Sequence, residues 1–136
     1  MTQVSERQIN AYRRSAVSTA SPIDLVVMLY DGGLRFLDAA RKAIQDHNLE
    51  GQHECLTKAQ RVVTELSVCL DMEQGGEIAA NLMALYGFMN NRLAAANIND
   101  DVEPVEEVAK LLGDLRAAWA TLQVQQRRQE TDAEAA

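Results

Sequence analysis

The residues best suited to metal chemistry in this chain are Glu50 and His53, which stand three positions apart. A di-metal carboxylate site in a helical bundle takes one Glu-x-x-His pair from each of two helices and a glutamate from each of the other two. Only one such pair is present, and His47 is the only other histidine. Because Glu50 also stands at a predicted helix start, where the helix dipole favours an acidic residue, the sequence predicts no metal site.

The two cysteines, Cys55 and Cys69, are the candidate nucleophiles. Fourteen residues of one predicted helix separate them by about 21 Å, which is too far for a disulfide bond. A reactive thiol needs exposure beside a base, whereas both cysteines fall on the apolar stripe of that helix. His53 is two residues from Cys55 and therefore points to another side. We expect two unreactive thiols in the core, as in a reducing compartment.

A pair of glycines, Gly75 and Gly76, precedes a predicted helix and could present backbone N–H groups to a phosphate. No lysine stands beside them, and the neighbouring acids Asp71, Glu73 and Glu77 oppose a bound anion. Paired glycines also disfavour a helix interior. The sequence therefore predicts a turn at the glycines and no phosphate site.

Length and charge limit the remaining functions. At 136 residues the chain is long enough for one domain with a core of its own. A net charge of −7 repels phosphate backbones and anionic lipid heads, which argues against nucleic acid as a partner. No apolar run reaches the roughly 18 residues of a membrane span, and the first 20 residues lack the apolar region of a signal peptide. The sequence thus predicts a cytoplasmic protein without direct membrane insertion.

Apolar residues recur every three or four positions in four segments, and this period predicts four helices. They run from about Pro22 to His47, from an Asn48 cap to about Leu70, from about Glu77 to Ala96, and onward from a start between Asp101 and Pro104. Helices of this length with short connections form an antiparallel four-helix bundle, and no segment alternates like a strand. The predicted fold class is all-α.

The predicted bundle occupies residues 21–125 and has a less apolar segment at each end. Residues 1–20 carry only scattered apolar side chains and are interpreted as an N-terminal strap or short capping helix. Residues 126–136 have no large apolar side chain to bury, so they are predicted to form a disordered tail.

More apolar surface is present than four helices readily bury, which favours a groove for a partner. Ile9 and Tyr12 are three residues apart, the spacing of two anchors on a short docking helix, although a permanent cap on the bundle fits equally. Apolar edges on the second and third helices are further candidates, with ordinary core packing as the alternative for each. The candidate partner-binding residues are Ile9, Tyr12, Leu56, Val63, Met83 and Tyr86.

A series of short motifs runs along the chain in a fixed order. They are Ile9-Asn-Ala-Tyr12, Ala20-Ser-Pro22, the stretch from Leu25 to Gly32, Gly75 to Ala79, Asn81-Leu82, Arg92-Leu93, Ala96-Asn97, Glu106 to Val108 and Leu115 to Trp119. By their order and spacing the chain resembles the FliS family of flagellar export chaperones over nearly its whole length.

The resemblance implies a chaperone without enzymatic activity or a cofactor. It would bind the C-terminal segment of flagellin, which is disordered in the monomer, prevent premature polymerisation, and deliver flagellin to the flagellar type III export apparatus. The membrane protein FlhA would be its receptor at the export gate, and the strap anchors Ile9 and Tyr12 would shield the groove. Whether the anti-sigma factor FlgM also binds is left open.

Two alternatives from other classes remain at this point. A metal- or thiol-dependent bundle enzyme would contain iron or zinc in the purified protein. A structural bundle that self-associates through helix exchange would be dimeric and indifferent to flagellin.

Overall fold

The computed structural model describes residues 22–135, which form four helices and no strand. The helices are α1 (Pro22–Gln45), α2 (Leu49–Val68), α3 (Met72–Asn99) and α4 (Glu103–Ala135). Each helix packs against the next along the chain, and α4 returns to α1, so the four close into a bundle. Packing is most extensive between α1 and α2 and least extensive between α3 and α4. The predicted all-α four-helix bundle is confirmed, while the strap lies outside the described residues.

The turn between α1 and α2 ends the first helix two residues earlier than predicted. His47 adopts a positive φ of 56°. The His47 N–H then donates to the Ile44 carbonyl at 3.1 Å, and the Asn48 N–H donates to the Ala43 carbonyl at 2.8 Å. These two bonds form a Schellman motif, which satisfies the last carbonyls of α1. Asn48 then caps α2 as predicted, because its side-chain oxygen accepts from the Gly51 N–H at 3.0 Å.

Helix α3 begins at Met72 rather than at the predicted Glu77. Asp71 caps the added turn by accepting from the Gln74 N–H at 3.0 Å. The helix then kinks at Gly76, where φ is 53° and ψ is −125°, a conformation that only glycine adopts readily. The predicted turn is therefore a kink inside α3. The next helix begins at Glu103, within the predicted limits.

The core lies between all four helices and includes one polar pair. The Tyr30 hydroxyl of α1 hydrogen-bonds the Tyr86 hydroxyl of α3, and both side chains are fully enclosed. Burial raises the pKa of each tyrosine above its ordinary value. Other buried core residues include Leu37, Leu56, Val63, Leu66, Met89, Leu93, Val108 and Leu112.

The C-terminal residues do not form the predicted disordered tail, because α4 continues to Ala135. Good helix formers such as Gln, Arg, Glu and Ala prolong a helix that the bundle has already nucleated. The Gln123 amide and the Arg127 guanidinium both reach Asp24 at the start of α1, the latter at 3.4 Å. Residues 128–135 are exposed, so their helix rests on local propensity alone.

The two thiols differ in their surroundings. Cys55 is half-buried and packs against the core, whereas Cys69 is exposed. The prediction of a core thiol is wrong for Cys69, because α2 ends at Val68 and leaves Cys69 at its C-cap. Among residues 22–135, no helix is both long enough and apolar enough to cross a membrane.

Candidate functional site

The contact between α3 and α4 is fixed at one point by an ion pair. Arg92 Nε of α3 lies 3.0 Å from Glu107 Oε1 of α4. Because residues three, four or seven apart share a face of a helix, this pair identifies the flank of each helix that faces the other. The two flanks can then be followed away from Arg92 and Glu107, toward the end of the bundle at which α1 begins.

Exposure of the apolar side chains rises along these two flanks. Leu85, seven residues before Arg92, and Leu115, two steps of four residues after Glu107, are half-buried and pack against the core. One step further, Ile78 is 72% exposed and Leu122 is 48% exposed. The antiparallel register places Leu85 near the level of Leu115 and Ile78 near the level of Leu122. The helices therefore cover less of each other's apolar flank with distance from the ion pair.

We call the apolar surface between these two flanks of α3 and α4 the open seam. Its floor is formed by Trp119, which packs partly buried against the core, and by the tyrosine pair beneath it. The Trp119 side chain also acts on the Tyr30 hydroxyl and offsets part of the rise in the pKa of Tyr30. Tyr30, Tyr86 and Trp119 come from three different helices, so the floor is a fixed part of the core. The open seam comprises Ile78, Leu82, Leu85, Leu115, Trp119 and Leu122.

The corresponding junction between α1 and α4 is closed by polar contacts in the half of the bundle where α1 begins. Arg116 Nε lies 2.6 Å from Asp31 Oδ1. Asp24 accepts from Gln123 and Arg127 near the end of the bundle. Opposite the open end of the seam, α4 is therefore held to α1, and its free apolar flank is the one that faces α3.

Helix α3 supplies its side of the seam without any charged residue for more than three turns. No Asp, Glu, Lys, Arg or His occurs from residue 78 to residue 91. Charged side chains are depleted in the centres of protein interfaces, and an exposed apolar surface without charge is typical of a protein-binding site. In chemical terms the open seam can bury the apolar face of another polypeptide.

The structure places most of the predicted binding residues elsewhere. Leu56, Val63 and Tyr86 are buried in the core, with exposures of 0%, 0% and 1%. They therefore line no surface groove in this conformation, and the alternative of ordinary core packing describes them. Ile9 and Tyr12 lie outside the described residues.

Met83 is the one predicted residue of the bundle that is exposed, at 39%. It lies on the flank of α3 that faces α2, because Asn90, seven residues later, bonds the Thr64 hydroxyl of α2 at 3.2 Å. The structure therefore does not bring Met83 together with the seam residues. By their spacing of three and four residues, Ile78 and Leu122 continue the apolar stripes of α3 and α4, which predicts burial for both. The uncharged stretch of α3 is the sequence signal that could have marked this surface.

His53, which was weighed as a metal ligand, is engaged in an ordinary structural contact. His53 Nδ1 accepts from the Asn97 amide at 3.0 Å, which joins α2 to the end of α3. The neighbouring Gln52 amide donates to Asp100 Oδ1 at 2.8 Å. Within the part of the chain that the structure describes, no three His, Cys, Asp or Glu side chains are grouped for a metal ion.

Fold and site together define an all-α four-helix bundle protein with an open, uncharged apolar seam between its third and fourth helices. Residues 5–126 match the family described as flagellar protein FliS. The chain belongs to the FliS family.

Curated relatives from three bacteria agree with this assignment. The chain is 38% identical over 109 residues to the flagellar secretion chaperone FliS of Bacillus subtilis, with 80% of each chain covered. It is 42% identical over 106 residues to the protein of that name from Salmonella typhimurium, covering 77% of this chain and 78% of the relative. For the Escherichia coli protein of that name the identity is 43% over 106 residues, with the same coverage.

Proposed function

We propose that this protein is a cytoplasmic flagellar export chaperone that binds the disordered C-terminal segment of flagellin. Its role would be to prevent premature polymerisation and to deliver flagellin to the type III export apparatus, without enzymatic activity. The observation that supports this most directly is the open seam, which presents apolar side chains without charge beside a rigid floor. The names of the curated relatives support the chaperone role.

An apolar seam suits a client that is disordered before it binds. A segment that becomes ordered on binding loses conformational entropy, and buried apolar surface has to offset that loss. Covering a large apolar side chain contributes about 1.5–3 kcal/mol, so a few contacts along the seam suffice. The complex must also dissociate at the export gate, for which we propose FlhA as the receptor. We treat FlgM as a second candidate client.

Calorimetric titration with a peptide of the flagellin C-terminal segment tests the proposal. We expect one-to-one binding with a negative change in heat capacity, because apolar surface leaves water when the seam is covered. A peptide of the same composition in scrambled order serves as the control and should not bind. Absence of binding to the native peptide at high concentration would reject flagellin as the client. The same titration with FlgM tests the second candidate.

The strap residue Tyr12 is proposed to shield the groove in the free protein. A shield competes with the client, so its removal should raise the apparent affinity several-fold and make the free protein aggregate at lower concentration. We expect both changes for Tyr12→Ala and neither for Tyr12→Phe, which keeps the aromatic ring. Titration and light scattering measure them. If Tyr12→Ala alters neither the affinity nor the solubility, the assignment is wrong.

A further inference from the structure

At the end of the bundle where the seam opens, three neighbouring acids form no ion pair within residues 22–135. From residue 62 to residue 91 the sequence contains no Lys, Arg or His, whereas Asp71, Glu73 and Glu77 stand together at the start of α3. All three are exposed. Glu77 directly precedes Ile78, the most exposed residue of the open seam, so Glu77 borders the seam at its open end, and Glu73 lies four residues before it.

Only one of these acids is held by a local hydrogen bond. Asp71 is occupied as the N-cap of α3. Glu73 lies in the first turn, where the helix dipole favours it, and Glu77 follows the kink at Gly76. Within residues 22–135, Glu73 and Glu77 form no ion pair or hydrogen bond. Some acids on other surfaces do have a cation within reach, as Glu54 has Lys58 at 3.0 Å.

Two cations of α4 near this end are directed toward α1, and the third, Arg128, is exposed and forms no ion pair with Glu73 or Glu77 within residues 22–135. Arg127 lies 3.4 Å from Asp24 of α1. Arg116 is paired with Asp31, also on α1. Continuing the flank of Leu122 by one and two turns leads to Gln126 and Gln129, which carry no charge. The open end is therefore an apolar surface with a negative rim on its α3 side.

We infer that the client segment held at the open end of the seam carries Lys or Arg beside its apolar anchors, and that Glu73 and Glu77 select it. The inference rests on the proposed function and specifies the chemistry of the segment bound there. Charge complementarity at the rim of an apolar site speeds association and rejects segments of the wrong sign. Exposed carboxylates lose this attraction as salt shortens the Debye length, from about 10 Å at 0.1 M to 3 Å at 1 M.

The test is a titration of the full-length protein with the flagellin C-terminal peptide at low and high salt. One variant carries Glu73→Lys and Glu77→Lys. The matched control carries Glu50→Lys and Glu103→Lys, which make the same charge change in the first turns of α2 and α4 at the other end of the bundle. A second peptide has the Lys and Arg residues of the segment replaced by Glu.

We expect the Glu73/Glu77 variant to bind the native peptide about tenfold more weakly than the control variant at low salt, with the difference shrinking to about twofold at 1 M salt. The same variant should regain affinity for the charge-reversed peptide. Equal affinities of the two variants would overturn the inference and leave the proposed function intact. Tighter binding by the Glu73/Glu77 variant would also overturn it. That result would mean that the two acids attract residues 1–21, which include Arg7, Arg13 and Arg14, and that this segment competes with the client. No binding to the wild-type protein would overturn the proposed function itself.

Discussion

Replacing Ile78 and Leu122 together by aspartate should reduce the affinity for the flagellin C-terminal segment at least a hundredfold. Each side chain contributes about 1.5–3 kcal/mol when a partner covers it, and a buried unpaired carboxylate adds a further penalty. Ile78 is 72% exposed and Leu122 is 48% exposed in the free protein. The free energy of unfolding should therefore fall by less than about 2 kcal/mol, most of it from Leu122. Calorimetric titration and urea unfolding measure the two effects separately.

The chain offers a matched control for this pair at the other end of the bundle. Leu49 and Ile98 are 62% and 81% exposed, and they lie away from the open seam. Leu49→Asp with Ile98→Asp makes the same chemical change and should leave client binding within about twofold of wild type. If both double variants lose affinity equally, the client is not held at the open end of the seam.

The protein should lose stability steeply as the pH rises above about 10, because two core tyrosines resist ionisation. Burial and their mutual hydrogen bond hold the pKa of Tyr86 far above its ordinary value, and burial raises that of Tyr30. Below about pH 10 both tyrosines are protonated in the folded and unfolded states, so their contribution to stability is complete. Above that pH the unfolded chain releases these protons first. Each tyrosine then lowers the free energy of unfolding by up to about 1.4 kcal/mol per pH unit.

Urea unfolding of the wild type and of a Tyr30→Phe, Tyr86→Phe double variant between pH 8 and pH 11.5 isolates this effect. The double variant should show a slope shallower by up to about 2.7 kcal/mol per pH unit, since both proton sites are gone. The single variants serve as an internal check at pH 8. Each single variant should cost about 1–3 kcal/mol, because it leaves the hydroxyl of the other tyrosine buried without its hydrogen-bond partner. Parallel slopes for the wild type and the double variant would contradict the argument.

The helix boundaries set by side-chain caps could be predicted from the sequence. Asn48 caps α2 as expected, and the polar residues before Pro104 mark the start of α4. The predicted start of α3 is too late. Asp71 caps one helical turn that precedes the kink, and a glycine pair at a kink looks the same in sequence as a glycine pair in a loop. The helix at residues 126–135 was not predicted for a similar reason. A segment without large apolar side chains cannot pack into the core, but it can still be helical.

The site was harder to predict for a different physical reason. Periodicity shows which side chains share a helix face, but how closely two helices approach determines whether that face is covered. Leu56 and Val63 belong to the extensively packed α1–α2 side and are fully buried. Ile78 has the same apolar character and lies at the loosely packed end of α3. Ion pairs such as Arg92 with Glu107, which fix where the helices meet, come from residues far apart in sequence.

The open seam also has a consequence for the lifetime of the protein in the cell. A ligand that binds only the folded state raises its stability by mass action, by about 2.7 kcal/mol when its free concentration is a hundred times the dissociation constant. On the proposed function, the chaperone therefore unfolds least often while flagellin is waiting for export. Once its client has left, proteases that capture unfolded chains encounter it more often. The abundance of the chaperone would then follow the supply of flagellin without any change in its synthesis.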